Sequence, residues 1–305
     1  MKDKILGAIY GHLVGDALGV PYEFKPPNAI PERIEWRGYG THNQPPGTWS
    51  DDGALMLCLL ASIVERRGFD PKDVGQRFID WFDKGYMAAG GLVFDYGGAT
   101  ATAIDRLRQG INPLEAGPDD ERSNGNGSLM RILPLSLWAS SRPLEEQIDL
   151  THHCSKITHG HTRSQVCCAV YSIIVRLILE GAHKERAIDD AWELVRNAYK
   201  KEKRWSMPFL EELFLIQSYT SRTGTGYVVD CLLSSLDALN LANDYVDAVE
   251  HAIRCGNDTD TTAAVTGGVA GLIFGLDSIP SAWRKDLRIE HSQVNLINLF
   301  VENLL

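Results

Sequence analysis

Alternating apolar and polar residues of the kind that build half-buried strands are almost absent from this 305-residue chain, so sheet-based folds are excluded. No run of about 18 uninterrupted apolar residues occurs, and no membrane span is expected. Residues 1–10 superficially resemble a signal peptide, but His12 and Asp16 interrupt the apolar run and no A-x-A site follows. Positive charge is scarce. Thirty Lys and Arg face 40 Asp and Glu, a net charge of −10, which argues against general nucleic-acid or anionic-membrane binding. A local basic pocket stays compatible with that balance. The six cysteines show no C-x-x-C spacing and sit mostly in apolar helical runs; they read as buried thiols of a reducing, cytoplasmic compartment. No Pro/Ser-rich linker, charge block or internal repeat divides the chain. One domain over 1–305 is expected.

What is present is helix. Periodicity predicts helices over 5–18, 53–67, 71–84, 99–109, 145–155, 162–181, 185–199, 208–220, 226–240, 244–255 and 261–275, with at most a further pair after Pro280. The expected class is all-α: a compact orthogonal bundle whose cleft lies where helix N-termini converge. The first helix carries Gly7, Gly11, Gly15 and Gly19 four residues apart, a flat face for close packing. Residues 25–48 are rich in Pro, Gly and Asn and read as a long functional loop.

The chain is organised around Cys255–Gly275. Asp258, Thr259, Asp260, Thr261 and Thr262 open it, and a small-residue apolar helix follows. Helix capping is the plain reading of such a turn. A second acidic cluster, Ser50, Asp51 and Asp52, heads another apolar helix far upstream. Adjacent carboxylates at a buried helix start repel each other unless a cation lies between them. Two such heads suggest one site of oxygen ligands for a hard divalent cation.

Three further stretches carry polar or glycine-rich turns. Phe94–Thr100 offers the Asp95 carboxylate and glycines, Gly97 among them, that permit close backbone approach; an N-terminal cap turn is the alternative. Asn124–Arg131 alternates Gly125 and Gly127 with Asn and Ser ahead of an apolar helix, a turn able to cradle phosphate oxygens. Gly127 and Ser128 are the expected phosphate contacts. Thr151–His161 holds four of the nine histidines but lacks zinc-site spacing. Tyr227, after the Ser221–Gly226 turn, offers a ring that could stack on a base or pack in the core.

Together these motifs resemble the ADP-ribosylglycohydrolase family, also called DraG-like or ARH-type ADP-ribosyl hydrolases. The likeness runs over roughly residues 5 to 275. It implies two Mg²⁺ ions, with Mn²⁺ able to substitute, held by Ser50, Asp51, Asp52, Asp258, Asp260 and Thr261. It implies Glu23, Asp51 and Asp258 as catalytic groups, with Glu23 on a loop that opens and closes over substrate. Asn124–Arg131 resembles the family's N-G-x-x-M-R element, which brings Met130 into the diphosphate site and leaves Arg131 open to a structural ion-pair role. His159 matches a family Thr-His pair that helps bind ADP-ribose. The implied activity is Mg²⁺-dependent release of ADP-ribose from an ADP-ribosylated protein side chain, arginine favoured over serine or nucleic-acid adducts. A non-catalytic ADP-ribose-binding or immunity member is the alternative. Two departures from the family pattern are Gly53, where a threonine is usual, and Asn257, where a glycine is usual.

Overall fold

A computed structural model describes residues 1–305, and of Ser206 the backbone alone. The chain runs through α1 (Lys2–Gly19), α2 (Asp51–Arg66), α3 (Pro71–Lys84), α4 (Gly98–Arg108), α5 (Pro113–Ala116), α6 (Leu133–Ala139) and α7 (Leu144–Lys156). It continues through α8 (Thr162–Leu179), α9 (Lys184–Lys201), α10 (Ser206–Ser218), α11 (Val228–Leu241) and α12 (Tyr245–Arg254). It ends with α13 (Thr259–Phe274), α14 (Ser281–Asp286) and α15 (His291–Leu304). No strand occurs among the described residues, and the class is all-α as expected.

Local chemistry explains the boundaries. Asp70 caps α3 by accepting from the backbone N–H groups of Lys72 and Asp73, Pro71 takes the first helical position, and Gly85 closes the helix at φ 70°. Asp244 caps α12 in the same way. Helix α8 is long and apolar enough to cross a membrane, with a mean hydropathy of 1.4, yet 78% of it is buried inside the fold. It serves as a core helix.

The packing of α1 on α13 sets the architecture. Both helices are buried along nearly their whole length. A Cβ on Gly7 would overlap the carbonyl of Gly271, one on Gly11 that of Gly267, and one on Gly15 that of Ala263. The reverse holds for Gly267 and Gly271 against α1. The two glycine rows therefore face each other, and only hydrogen at these positions allows backbones to touch. As numbers rise on α1 they fall on α13, so the pair is antiparallel. The C-terminal end of α1 thus lies beside the N-terminal end of α13, where Thr259 Oγ1 donates to the Gly19 carbonyl at 2.8 Å.

Helix α2 is brought to the same place by Asp16. Its fully buried carboxylate accepts from the backbone N–H groups of Ser50 (2.9 Å) and Gly53 (2.8 Å), the first turn of α2. Two helix N-termini and the C-terminal end of α1 converge on one point.

Candidate active site

At that point the two acidic tips touch. Thr261 Oγ1 donates to Asp52 Oδ2 at 3.2 Å across 209 positions of sequence. Ser50 Oγ donates to the same oxygen at 3.1 Å. Asn126 Nδ2, from the glycine-rich turn, donates to Asp258 Oδ2 at 2.9 Å. Oxygens of Glu23, Asp258 and Asp260 lie within 4.8 Å of one another.

Capping does not account for this cluster. Asp258 stands at the N-cap of α13 but its side chain accepts no backbone N–H there. In α2 the cap is Ser50, not an aspartate. A cap is worth about 1 kcal/mol. Two like charges 4.8 Å apart repel by roughly 3–4 kcal/mol at an effective dielectric of about 20. The repulsion outweighs the cap, so the cluster needs another source of stability when ionised.

Three buried carboxylate oxygens have no hydrogen-bond partner: Asp52 Oδ1, Asp258 Oδ1 and Asp260 Oδ2. A buried anionic oxygen without a donor is costly. Carboxylates together with the Ser50 and Thr261 hydroxyls form an all-oxygen donor set, which fits Mg²⁺ or Mn²⁺ better than a soft metal. Without a cation the cluster retains protons. Burial, then Asp52, raises Asp51 well above the usual carboxylate range. Burial, then Asp16, does the same to Asp52, and burial, then Glu23, to Asp260. Burial chiefly raises Asp258 as well. Burial followed by the charges of Asp95 and Asp258 pushes Glu23 up to about 12.

The cluster floors a cleft of about 570 Å³, inside the range of small-molecule sites. Glu23, Asp51, Asp95, Gly97, Gly127, Met130, His159, Asp258 and Thr261 line it. All were singled out in the sequence. Asp52, Ser50 and Asp260 lie directly behind them through the contacts above. His159 is buried and neutral: burial, then Arg131, lowers its pKa to about 3, and its Nδ1 pairs with the Thr158 hydroxyl at 2.8 Å. A Cβ on Gly127 would sit 2.8 Å from His159 Cε1, so glycine keeps that wall open.

Two residues expected at the substrate keep their side chains out of the cleft lining. Ser128 does not line the cleft; its side chain is fully buried, 3.0 Å from Ser155 Oγ and 3.4 Å from Cys168 Sγ. The short 3₁₀ turn Asn126–Ser128 turns that hydroxyl inward. Tyr227 does not line it either. Its ring packs edge-on against Tyr219 at 5.5 Å, with Arg163 over it at 6.0 Å, while its backbone bridges to Gly125. Arg131 makes no ion pair: it is fully buried, donating to the carbonyls of Gly127 and Cys154, and its guanidinium lies over Phe78.

Sequence reasoning missed three residues. Asp16 registered only as an interruption of an apolar run; a carboxylate inside a glycine-faced helix was the available signal. Asn126 reads only as a spacer between the two glycines, with no role of its own. His42, in the aperiodic loop, contacts the Glu23 carboxylate and carried no signal of its own. Another acidic group with a histidine, Glu121, His161 and Glu212, is held together by Arg163, which pairs with both glutamates.

The family model described as ADP-ribosylglycohydrolase matches residues 1–304. An ADP-ribosylarginine hydrolase, Tri1 of Pseudomonas putida, is 30% identical over 92% of this chain and 73% of its own length. The ADP-ribosyl-[dinitrogen reductase] glycohydrolase of Rhodospirillum rubrum is 26% identical over 95% of this chain and 92% of its own. The ADP-ribosylhydrolase ARH3 of Danio rerio is 25% identical, covering 93% and 86%. A solved ADP-ribosylglycohydrolase-related protein complex contains a chain superposing with a TM-score of 0.78 at 31% identity, over 99% of this chain and 97% of that one. This chain belongs to the ADP-ribosylglycohydrolase family.

Proposed function

We propose that this protein is a divalent-cation-dependent hydrolase that cleaves the bond between ADP-ribose and an arginine side chain, releasing ADP-ribose. The observation that carries the reading is the set of three unpartnered, buried carboxylate oxygens on two tips that meet at the floor of one cleft. The likeness to an ADP-ribosylarginine hydrolase supports arginine as the linked residue.

Ser50, Asp51, Asp52, Asp258, Asp260 and Thr261 would hold two Mg²⁺ ions. Such ions, when bound, would supply the positive charge that orients ribose hydroxyls and lowers the pKa of a water. The protein's own groups do the rest. The acidic floor offsets the positive charge that develops at the anomeric carbon as the glycosidic bond breaks. Glu23, lining the cleft beside Asp258 and Asp260, is placed to take or give the proton. Asp95 accepts from the guanidinium of the modified arginine. Gly127 leaves room for the diphosphate beside the neutral ring of His159.

The test is incubation with Mg²⁺ and ADP-ribosylated arginine, serine and DNA substrates in parallel. Release of ADP-ribose from the arginine adduct, abolished by chelation, is expected. Release only from another adduct would remove the arginine assignment, and full turnover in chelated protein would remove the metal. Unchanged hydrolysis of the arginine adduct by Asp95→Asn would remove the guanidinium contact.

A further inference from the structure

The loop over residues 38–44 grips Glu23 twice. Thr41 Oγ1 donates to the Glu23 carbonyl at 2.7 Å. His42 Nε2 contacts the Glu23 carboxylate, and the same nitrogen lies 3.8 Å from Asp95 Oδ1. The imidazole is itself held. The ring centroid of Phe24 lies 5.7 Å from it and that of Phe94 5.2 Å, both tilted. The loop tip is braced by Tyr39 N donating to Gln44 O at 2.6 Å, by Gln44 Nε2 donating to His42 O at 3.2 Å, and by Gly40 seated against the backbone of Pro21.

The opposite side of Glu23 is fixed too. Phe24 adopts a left-handed backbone at φ 60°, strained for an aromatic residue. Two hydrogen bonds hold it there: Phe24 N to Asn257 O at 2.6 Å and Asn257 N to Lys25 O at 2.7 Å. Asn257 directly precedes Asp258. Glu23 is therefore tied at its backbone to the acidic turn of α13 and at its side chain to His42. A glutamate side chain without such contacts would sample many rotamers, and restricting it costs entropy that a partner must offset.

We propose that His42 is a positioning residue: it holds the Glu23 carboxylate beside Asp258 and Asp260, with the rings of Phe24 and Phe94 packed near its own. The inference rests on the proposed hydrolase activity for its kinetic readout, but not for its structural one.

The experiment compares His42→Ala and His42→Gln with the unaltered protein in two measurements. In the first, kcat and KM are measured for release of ADP-ribose from an ADP-ribosylated arginine peptide at saturating Mg²⁺. His42→Ala should lower kcat about tenfold to a hundredfold, the usual effect of removing a supporting partner, with KM little changed. His42→Gln, whose amide can still donate to Glu23, should recover most of the loss. In the second, crystal structures of both variants are determined without added metal. Glu23 should leave the neighbourhood of Asp258 and Asp260 in the alanine variant and keep its place in the glutamine variant. If the unaltered protein does not turn over the arginine peptide, the proposed activity fails while the crystal structures still decide on His42. Glu23 holding its place in His42→Ala, or an unchanged kcat in an active enzyme, overturns the positioning role.

Discussion

Removing metal should make this protein less stable as pH rises from 7 to 8, the reverse of ordinary acid sensitivity. In the metal-free cluster Glu23, pushed up to about 12 chiefly by burial, keeps its proton across this interval, and burial raises Asp51, Asp52 and Asp260 in the same direction. In the unfolded chain the same groups ionise near pH 4. Where the folded state binds more protons than the unfolded state, stability falls as pH rises. The interval matters. Burial depresses His12 to about 4 and His152 and His159 to about 3, so between roughly pH 4 and 6.5 these buried histidines make stability rise with pH. Above pH 8 the buried cysteines join the carboxylates in keeping protons that the unfolded chain loses. Between 7 and 8 the carboxylates act nearly alone. Each retained proton contributes about 1.4 kcal/mol per pH unit. A 305-residue chain has an unfolding entropy of about 0.6 kcal/mol per kelvin. The melting midpoint of chelated protein should therefore drop by about 2 °C per retained proton over that interval. Mg²⁺ at a hundred times its dissociation constant should add about 2.7 kcal/mol, roughly 4 °C, and flatten the pH slope. Asp52→Asn should raise the metal-free midpoint at pH 8 and lose the Mg²⁺ shift. Differential scanning fluorimetry reads all of this. A midpoint that stays level or climbs from pH 7 to 8 in chelated protein would refute the reasoning.

Asp51→Ala and Asp258→Ala should each lower ADP-ribose release by at least about a hundredfold while circular dichroism keeps its helical signal. Gly11→Val places a branched side chain against the Gly267 carbonyl. It should cost at least the roughly 1–3 kcal/mol of ordinary overpacking, and it should weaken Mg²⁺ binding too, since the same helix pair aligns the acidic tips. Gly127→Ala should weaken ADP-ribose binding about tenfold in calorimetry, through the 2.8 Å approach to His159, with little change in melting midpoint.

Most helix boundaries were legible to within two or three residues, because apolar periodicity and Asp, Pro and Gly punctuation act locally. The short helices α5 and α6 had no bounds assigned, being too short for a period to register. The α1 glycine row reads as a close-packing face, but nothing in it names its partner. A period tells which face is buried and not which helix covers it. Asp16 shows the same limit. It accepts from backbone N–H groups at the start of a helix more than thirty positions away, a relation only the fold creates. Ser128 and Tyr227 show a related limit: a motif marks the turn, while the turn's geometry decides which side chains enter the cleft.

The two departures from the family pattern have local causes that can be argued from single atoms. A Cβ on Gly53 would stand 2.7 Å from Trp49 Cδ1 and 2.9 Å from Leu13 Cδ2. Trp49 is buried and donates its indole N–H to the Met87 carbonyl at 3.1 Å, so it cannot yield easily. A threonine at 53 therefore needs a smaller residue at 49, and Gly53→Thr alone should destabilise the protein even though threonine is the more usual residue there. Asn257 occupies φ 58°, a conformation glycine adopts freely and asparagine tolerates better than most. Its amide donates to the Thr223 carbonyl at 2.8 Å, which ties the acidic turn to the neighbouring Ser221–Gly226 segment. Asn257→Gly keeps the backbone angle and removes that tie. Any loss it causes in Mg²⁺ affinity, read by calorimetry, would measure what the side chain adds, and an unchanged affinity would show that the backbone angle alone suffices.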